Sequence, residues 1–293
     1  MFQGGSLWTL TGPDGTVVEL LGVGAAATST SPFVLEDVSG FDGPNVRQAI
    51  EDLPEFDGAI AGNFYYGSRP VTLRGRVIAG SAAERNVAVV QLQRTLRALR
   101  GDVTIMATAD GLPPMQVTAR LEQPPRITGS YIKDFLISLV CPDPRIYSQT
   151  LHNLSSAAGT GIVTGAAFPL AFDIIFGGGT GATATVAVNN EGNIDTPPVL
   201  RIYGPLSNPY VRNVTSGANL YLDNLTLVAG EYVDVNLIAR TAVTSGGTNV
   251  YGRIRFPESE WWLLEPGVND LELRAATSSS GSQLVVYWRD AWA

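Results

Sequence analysis

The chain has 293 residues, of which 45% are hydrophobic and 16% are charged, and its formal net charge is −8. This length suits two domains of roughly 100–200 residues each, and the negative charge disfavours a protein that grips nucleic acid through its phosphates. The single histidine, His152, and the single cysteine, Cys141, exclude a Cys/His zinc site and an internal disulfide. We also find no Walker A loop, signal peptide or membrane span, so we expect no metal, no cofactor and no membrane partner.

The first 150 residues are predicted to be mostly β with one helix. Runs of β-formers between glycine and proline breaks predict strands at residues 16–21, 69–78, 103–108, 115–121 and 131–140. Residues 109–114, ADGLPP, predict a turn because glycine tolerates a positive φ and proline cannot pair within a sheet. Residues 22–62 show no pattern that we recognise.

The helix is predicted over residues 82–100. Ser81 and Glu84 have the spacing of a capping box, which satisfies free N–H groups in the first turn of a helix. Apolar residues then recur at helical spacing and form one stripe: Val89, Leu92, Leu96 and Leu99. Arg100 favours the negative end of the helix dipole, and Gly101 supplies the stop.

The second half of the chain is predicted to be a separate β domain. Residues 151–165 are uncharged and rich in small residues, which indicates a linker between a first domain at 1–150 and a second at 166–293. Short strand-like runs are separated by turn signals at spacings of about ten residues, which is typical of a β-sandwich. These runs are residues 168–176, 183–188, 199–203, 219–222, 232–237, 250–256, 270–274 and 284–288. We interpret the glycine run at 177–181 as a hairpin turn, because no helix follows that could hold a phosphate.

Two blocks of opposite charge lie in the first domain. Residues 36–57 carry seven acids against one arginine, and residues 69–100 carry seven arginines against one glutamate. The blocks are either two solvated faces or complementary patches that meet between neighbouring copies. An acidic channel wall is a third interpretation, since it would repel nucleic acid and let it slide past. The candidate interface or lumen residues are Glu51, Asp52, Glu55, Asp57, Arg94 and Arg97.

Trp261 and Trp262 follow Glu258 and Glu260 in the second domain. The tryptophans are a candidate sugar platform, with the alternative that one is core and the other lies at an edge. The two acids suggest the carboxylate pair of a glycoside hydrolase, but residues two apart in a strand share a face and do not oppose each other. His152 lies at the edge of a polar segment and is expected to be a surface residue. We therefore assign no catalytic residue and do not expect an enzyme.

Several stretches together resemble a known family. Residues 189–213 combine a proline, a hydrophobic strand and then Gly-Pro, and residues 220–241, 261–275 and 284–292 continue the pattern. In the first domain, PVTLRGRVIAG at 70–80 and LVCPDPRIYS at 139–148 agree with it, the latter at the junction between domains. On these residues the chain resembles the siphophage distal tail proteins, the Dit family.

The resemblance implies a fold and a role. In that family the N-terminal domains form a hexameric ring at the end of the tail tube, and the C-terminal domains are galectin-like β-sandwiches outside the ring. It implies a mainly β structural virion protein at the distal end of the tail, with other copies of itself, the tail tube protein and the tail hub as partners. DNA would pass through the channel without specific binding. The alternative is a carbohydrate-binding protein that contacts the host cell wall.

Overall fold

The computed structural model describes residues 6–28, 31–96, 101–109, 111–157, 184–279 and 281–293. The chain divides into two compact units, the first made of Met1–Gln149 with Trp292–Ala293 and the second of Thr150–Ala291. Strands dominate both units and the α-helix lies in the first, which confirms the predicted mainly β fold.

The first unit is organised around one large sheet. Its strands are β1 (Leu7–Thr11), β2 (Val17–Leu21), β3 (Phe33–Ser39), β4 (Val46–Asp52), β5 (Ala59–Tyr66), β6 (Arg69–Val77), β7 (Val103–Thr108), β8 (Met115–Leu121), β9 (Arg126–Thr128), β10 (Lys133–Cys141) and β11 (Ile146–Ser148). Nine of them belong to a ten-stranded sheet in the order β11-β8-β7-β1-β2-β3-β6-β10-β9, which the last strand of the chain completes beyond β11. Its strand pairs are antiparallel apart from the β2–β3 contact.

Alternation of side chains explains why these segments form strands. In β6, Val71, Leu73 and Val77 are fully buried, whereas Arg74 and Arg76 are exposed. A period of two places one face of the strand on the core and the other in water. The same alternation holds in β7 and β8, where Ile105 and Val117 are buried.

Helix α1 (Ala82–Thr95) covers part of the core of the first unit. The Oγ of Ser81 accepts a hydrogen bond of 3.2 Å from the N–H of Glu84, which is the predicted capping contact. The buried side of the helix presents Ala88 and Leu92, and Leu96 follows it into the core. The described helix ends at Thr95, earlier than predicted. The predicted final turn, with Arg97, Leu99 and Arg100, lies outside the described residues.

Strands β4 and β5 form a two-stranded sheet of their own. All of β3 and β4 and the first half of β5 lie in residues 22–62, where we recognised no pattern. Strict alternation of apolar and polar residues marks a strand with one buried face, and no residue of β4 or β5 is buried.

The second unit has the two-layered arrangement of a sandwich. Its strands are β12 (His152–Ala157), β13 (Ala184–Asn190), β14 (Val199–Tyr203), β15 (Leu206–Ser207), β16 (Tyr210–Asn213), β17 (Asn219–Tyr221), β18 (Thr226–Leu227), β19 (Tyr232–Asn236), β20 (Thr241–Thr244), β21 (Gly267–Arg274), β22 (Thr277–Ser278) and β23 (Gln283–Trp288). The last strand, β24 (Ala291–Trp292), belongs to the ten-stranded sheet. One sheet has the order β12-β23-β14-β19-β20 and the other β13-β21-β16-β17, with a small third sheet β18-β15-β22. Leu200 and Val235 of the first sheet share a core with Val186 and Leu271 of the second.

Two local predictions in this unit were wrong. The predicted linker at 151–165 begins with strand β12, whose residues His152–Ala157 pair along the whole of β23; its small polar residues serve an edge strand instead. The predicted strand at 250–256 contains a short 3₁₀-helix at Tyr251–Arg253. The Asn249 side chain accepts a hydrogen bond of 2.8 Å from the N–H of Tyr251, a local turn that competes with strand pairing.

Some predictions fall on residues 158–183, outside the described part of the chain. These are the rest of the predicted linker, the predicted strand at 168–176 and the glycine turn at 177–181.

Candidate assembly surface

A β-hairpin of the first unit stands apart from the core. Within the described structure, β4 and β5 pair only with each other, and every residue of the two strands except Tyr66 is exposed. Large apolar side chains on the hairpin are 54–78% exposed; they are Val46, Ile50, Phe56, Ile60, Phe64 and Tyr65. We call residues 46–66 the arm.

The arm presents apolar side chains on both of its faces. Phe64 and Tyr65 are adjacent in β5 and therefore point to opposite faces. The register pairs Glu51 with Ile60, and it shifts at a bulge between Gln48 and Ile50. Strand β5 has eight residues, so at about 3.4 Å each the arm is roughly 25 Å long.

All four acids predicted at an interface or lumen lie on the arm. Glu51 and Asp52 end β4, and Glu55 and Asp57 occupy the turn that leads to β5. The turn is closed by a hydrogen bond of 3.0 Å from the N–H of Leu53 to the Gly58 carbonyl. Among the described residues, none of the four acids has an ion-pair partner. The tip of the arm is therefore a concentrated negative charge.

The outer side of helix α1 is unusually apolar for an exposed surface. Val87 and Val90 are 67% and 56% exposed. Two depressions of about 700 and 620 Å³ share Val87 in their lining. The first also contains Ile78, and the second contains Val17 and Arg94. We call this pair of depressions the helix groove.

The basic block is partly neutralised inside the unit. Arg76 lies 2.8 Å from Glu36 and 3.2 Å from Asp134, and Arg74 lies 3.9 Å from Glu36. These pairs fit the interpretation of solvated faces on the sheet. Arg94 instead lines the helix groove. The structure thus brings Glu36 and Arg76 together, but it does not bring the arm acids to Arg94 within one chain.

Sequence reasoning missed the apolar part of both surfaces. The predicted helical stripe marked the buried side, and Val87 and Val90 on the opposite side were overlooked. On the arm, the run AIAGNFYY at residues 59–66 is rich in aromatic and apolar residues. Two signals in the sequence could have revealed these surfaces. One is the presence of apolar residues outside the buried stripe of an amphipathic helix, and the other is an aromatic run beside acids.

A buried guanidinium holds loops of the first unit together. Arg69 is fully buried; its Nε donates to the Pro144 carbonyl and its Nη1 to the Gly40 carbonyl, each at 2.7 Å. Burial lowers the pKa of Arg69, and the nearby negative charge of Asp143 acts in the opposite direction. We interpret this cluster as structural, because Nε and Nη1 both donate to backbone carbonyls; among the described residues, the buried Nη2 has no hydrogen-bond partner.

The two weakly acidic groups beside this cluster keep their protons at neutral pH. Burial raises the pKa of the Cys141 thiol to about 11. Burial also raises the pKa of Tyr147, assisted by Asp143, whose Oδ2 accepts the Tyr147 hydroxyl hydrogen bond at 2.6 Å. A protonated, buried thiol is a poor nucleophile, so Cys141 acts as a core residue.

The predicted tryptophan platform is wrong for one of its two residues. Trp262 is only 6% exposed and belongs to the core of the second unit, so its face is not available to a sugar. Trp261 is partly buried and stacks on Tyr251, with ring centroids 6.1 Å apart. Glu258 and Glu260 lie in a turn region rather than on a strand, and Glu258 is 3.8 Å from Arg255.

His152 lies on strand β12, within the stretch that we predicted to be a linker. Its Nε2 is 2.9 Å from the buried Asp290 carboxylate, and its ring stacks on Trp288. In the described ranges, no three His, Cys, Asp or Glu side chains converge as a metal site would need.

We find no helix among the described residues with both the length and the apolar character needed to cross a membrane.

Comparison with known proteins agrees with the sequence resemblance. A family model described as the C-terminal domain of the siphovirus-type tail component matches residues 191–292. The fold is similar to the crystal structure of the Dit protein (gp 19.1) of phage SPP1, described as a paradigm of the hub adsorption apparatus in phages that infect Gram-positive bacteria. The TM-score is 0.67 at 16% sequence identity, over 98% of this chain and 99% of that one.

Two structures of the phage P2 baseplate in its activated conformation, one with Ca and one with Sr, are also similar. Their TM-scores are 0.53 and 0.51 at 11% and 12% identity, each over 97% of this chain and 98% of that chain. No curated protein matches the chain significantly. The family match over residues 191–292, with the whole-chain similarity in fold, confirms the predicted resemblance to the siphovirus-type tail components.

Proposed function

We propose that the chain is the subunit of a ring at the distal end of a phage tail. The ring, hexameric as the family resemblance implies, joins the tail tube protein to the tail hub and leaves a channel for DNA. The arm is the observation that carries this proposal, because it is an extended apolar element that the described part of its own chain leaves uncovered.

An uncovered arm implies a protein partner. A two-stranded hairpin is at best marginally stable alone in water and needs a further strand or helix to pack on. The arm has six large apolar side chains more than half exposed, and contiguous apolar surface of this kind marks an interaction site. Its open strand edges also invite pairing with another chain unless they are covered.

A second copy of the chain fits as that partner. The arm offers apolar side chains beside Glu51 and Asp52, and the helix groove offers Val87 and Val90 beside Arg94. Apolar contact with opposite charges at its rim is the usual composition of a specific interface. Because the arm and the groove are different surfaces of one chain, the contact is heterologous and generates a ring when it closes.

The charge of the chain suits a channel that DNA passes without being held. The net charge is −8, and the arm tip is acidic. Arm acids that do not enter the interface would line the channel, where they repel phosphates. The subunit then works by its position, as a structural part and not as an enzyme; the family and the similar structures, which are tail and baseplate components, support this role.

Native mass spectrometry of the full chain tests the assembly. One variant replaces residues 46–66 by a two-residue turn, which the structure permits because the Gly67 N–H already bonds to the Asn45 carbonyl at 2.6 Å. A second variant is Val87→Glu, and Val228→Glu in the second unit, where Val228 is 58% exposed, is its matched control. We expect closed oligomers for the wild type and the control, and monomers for both test variants.

Circular dichroism and thermal melting of the same samples separate assembly from folding. Both test variants are expected to keep the spectrum and melting profile of a folded β protein. A wild type that stays monomeric at every concentration, or an arm-less variant that forms the same oligomer, would contradict the proposed contact.

A further inference from the structure

A second surface, in the second unit, has the composition of a binding site. A cleft of about 450 Å³ opens beside the four-stranded sheet. Tyr210 and Tyr221 line it from the outer face of that sheet, since the flanking Val211 and Leu220 are fully buried on the other face. The remaining polar lining comes from Asn208, Asp223, Asn224 and Arg255.

The aromatic part of the cleft is held in a fixed arrangement. Tyr210 and Tyr221 are paired across strands β16 and β17, with ring centroids 4.8 Å apart. The guanidinium of Arg255 lies 4.2 Å from the Tyr221 centroid, and its Nη1 donates to Asp223 Oδ2 at 3.2 Å. Side chains locked in this way lose little freedom when they bind a ligand.

The asparagines at the rim occupy backbone conformations of an unusual kind. Asn208 and Asn224 have φ angles of 45° and 54°, a left-handed region where non-glycine residues are uncommon. The Asn224 N–H donates to Asn208 Oδ1 at 2.7 Å, which ties the two loops together. Both residues are exposed, so polar atoms of the loops remain open to a ligand.

The charge balance of the lining selects the class of ligand. Asp223 supplies one negative charge and Arg255 one positive charge, so an anion would meet the carboxylate and a cation the guanidinium. Amide, carboxylate, guanidinium and phenol groups instead offer donors and acceptors side by side, while Ala275 and Ala276 add apolar surface. This combination complements a neutral molecule that carries many hydroxyl groups on an apolar ring.

We propose that this cleft binds a neutral saccharide, through Tyr210, Tyr221, Asp223, Asn224 and Arg255. Neither of the two tryptophans that the sequence suggested lines this cleft. The site is independent of the ring proposal, because no residue of the arm or of the helix groove takes part. A free sugar and the polysaccharide of a cell wall both present hydroxyl groups on an apolar ring, so both are sources of the proposed ligand.

Saturation-transfer NMR and titration calorimetry of the full chain test the site. The probes are neutral hexose and N-acetylhexosamine oligosaccharides, and a sedimentation assay uses insoluble cell-wall polysaccharide to distinguish the two sources. Ala276→Trp fills the cleft from an exposed position, and Ala239→Trp, in an exposed turn, is its matched control. Asp223→Asn removes the charge while keeping the shape.

We expect saturable binding by the wild type and by Ala239→Trp, and at least tenfold weaker binding by Ala276→Trp and Asp223→Asn, about 1.4 kcal/mol. Tyr232→Ala is a second control, because Tyr232 makes a similar contact with Arg201 on the other sheet. Binding of no neutral saccharide, or binding that Ala276→Trp and Asp223→Asn leave unchanged, would overturn the proposal.

Discussion

Single buried polar residues, more than surface charges, hold the first unit in shape. Arg69 is fully buried and connects the β3–β4 loop to the segment before β11 through the carbonyls of Gly40 and Pro144. Arg74, five residues later on the same strand, is exposed and lies 3.9 Å from Glu36. The two arginines therefore offer a comparison of a buried and an exposed guanidinium within one strand.

Substitution of Arg69 by leucine is expected to lower the free energy of unfolding by about 3–5 kcal/mol, because two buried carbonyls lose their hydrogen-bond donor. Arg74→Leu should change it by less than about 1 kcal/mol, as exposed ion pairs contribute little. Chemical denaturation of both variants measures the difference. Equal losses would show that the loops are not held by Arg69.

Because of Cys141, we expect the stability of the first unit to fall as the pH becomes alkaline. Burial raises the pKa of its thiol to about 11, while an unfolded thiol titrates near about 8.5. The buried, protonated thiol contributes its full stabilisation at pH values below its pKa in the unfolded chain. This contribution is lost as the pH rises through the pKa of the thiol in the folded protein. Between these values the free energy of unfolding should fall by up to about 1.4 kcal/mol per pH unit from this group.

Denaturation curves between neutral pH and pH 11 check this, with Cys141→Ala as the control. The difference in stability between wild type and Cys141→Ala should shrink as pH rises, since only the wild type has the thiol. Tyr147 is present in both proteins, and its own titration therefore cancels. A difference that does not change with pH would contradict the assigned burial of the thiol.

At the scale of elements, alternation was the most informative signal in the sequence. The predicted strands at 103–108, 115–121 and 199–203 coincide with β7, β8 and β14, because each has one face on a core and one in water. The helix was predictable from its cap and its stripe. These signals are local, and they report burial within the chain.

Elements that depend on something else could not be predicted in this way. The arm has no face on its own core, so β4 and β5 lack the period that marks a strand. The edge strand β12 is made of small polar residues that resemble a linker. Its structure is decided by pairing with β23, whose residues lie 126 or more positions away in sequence. A local sequence pattern does not indicate so distant a partner. The tyrosine cleft is likewise assembled from segments that are distant in sequence.

Charge reversal on the helix tests whether the arm and the helix groove meet. Arg94→Glu together with Arg97→Glu should weaken ring assembly, because an acid at position 94 would line the helix groove and face the acids of the arm; Arg97 lies outside the described residues. Sedimentation equilibrium at low and moderate ionic strength measures the association, and the double reversal Arg74→Glu with Arg76→Glu on β6 is the matched control. Adding Glu51→Arg and Asp52→Arg to the helix variant should restore part of the assembly. Unaltered assembly would mean that the helix arginines are merely solvated.

At the scale of the whole molecule, we propose that the two β units serve different tasks. The first carries the arm and the helix groove, which we assign to assembly. The second carries the tyrosine cleft, and residues 191–292 match the family model of the tail-component C-terminal domain. This division lets ring formation and contact with the surroundings be altered separately, since no residue is shared between the two proposed surfaces.

The most direct measurement of the central claim is a cryo-electron microscopy reconstruction of the tail of the phage that encodes this chain. We predict a closed ring of this protein at the distal end of the tail tube, with the arm of each subunit against helix α1 of its neighbour and an open channel along the axis. Density for another protein at that position, or a ring in which residues 46–66 face solvent and touch no neighbouring chain, would contradict the account.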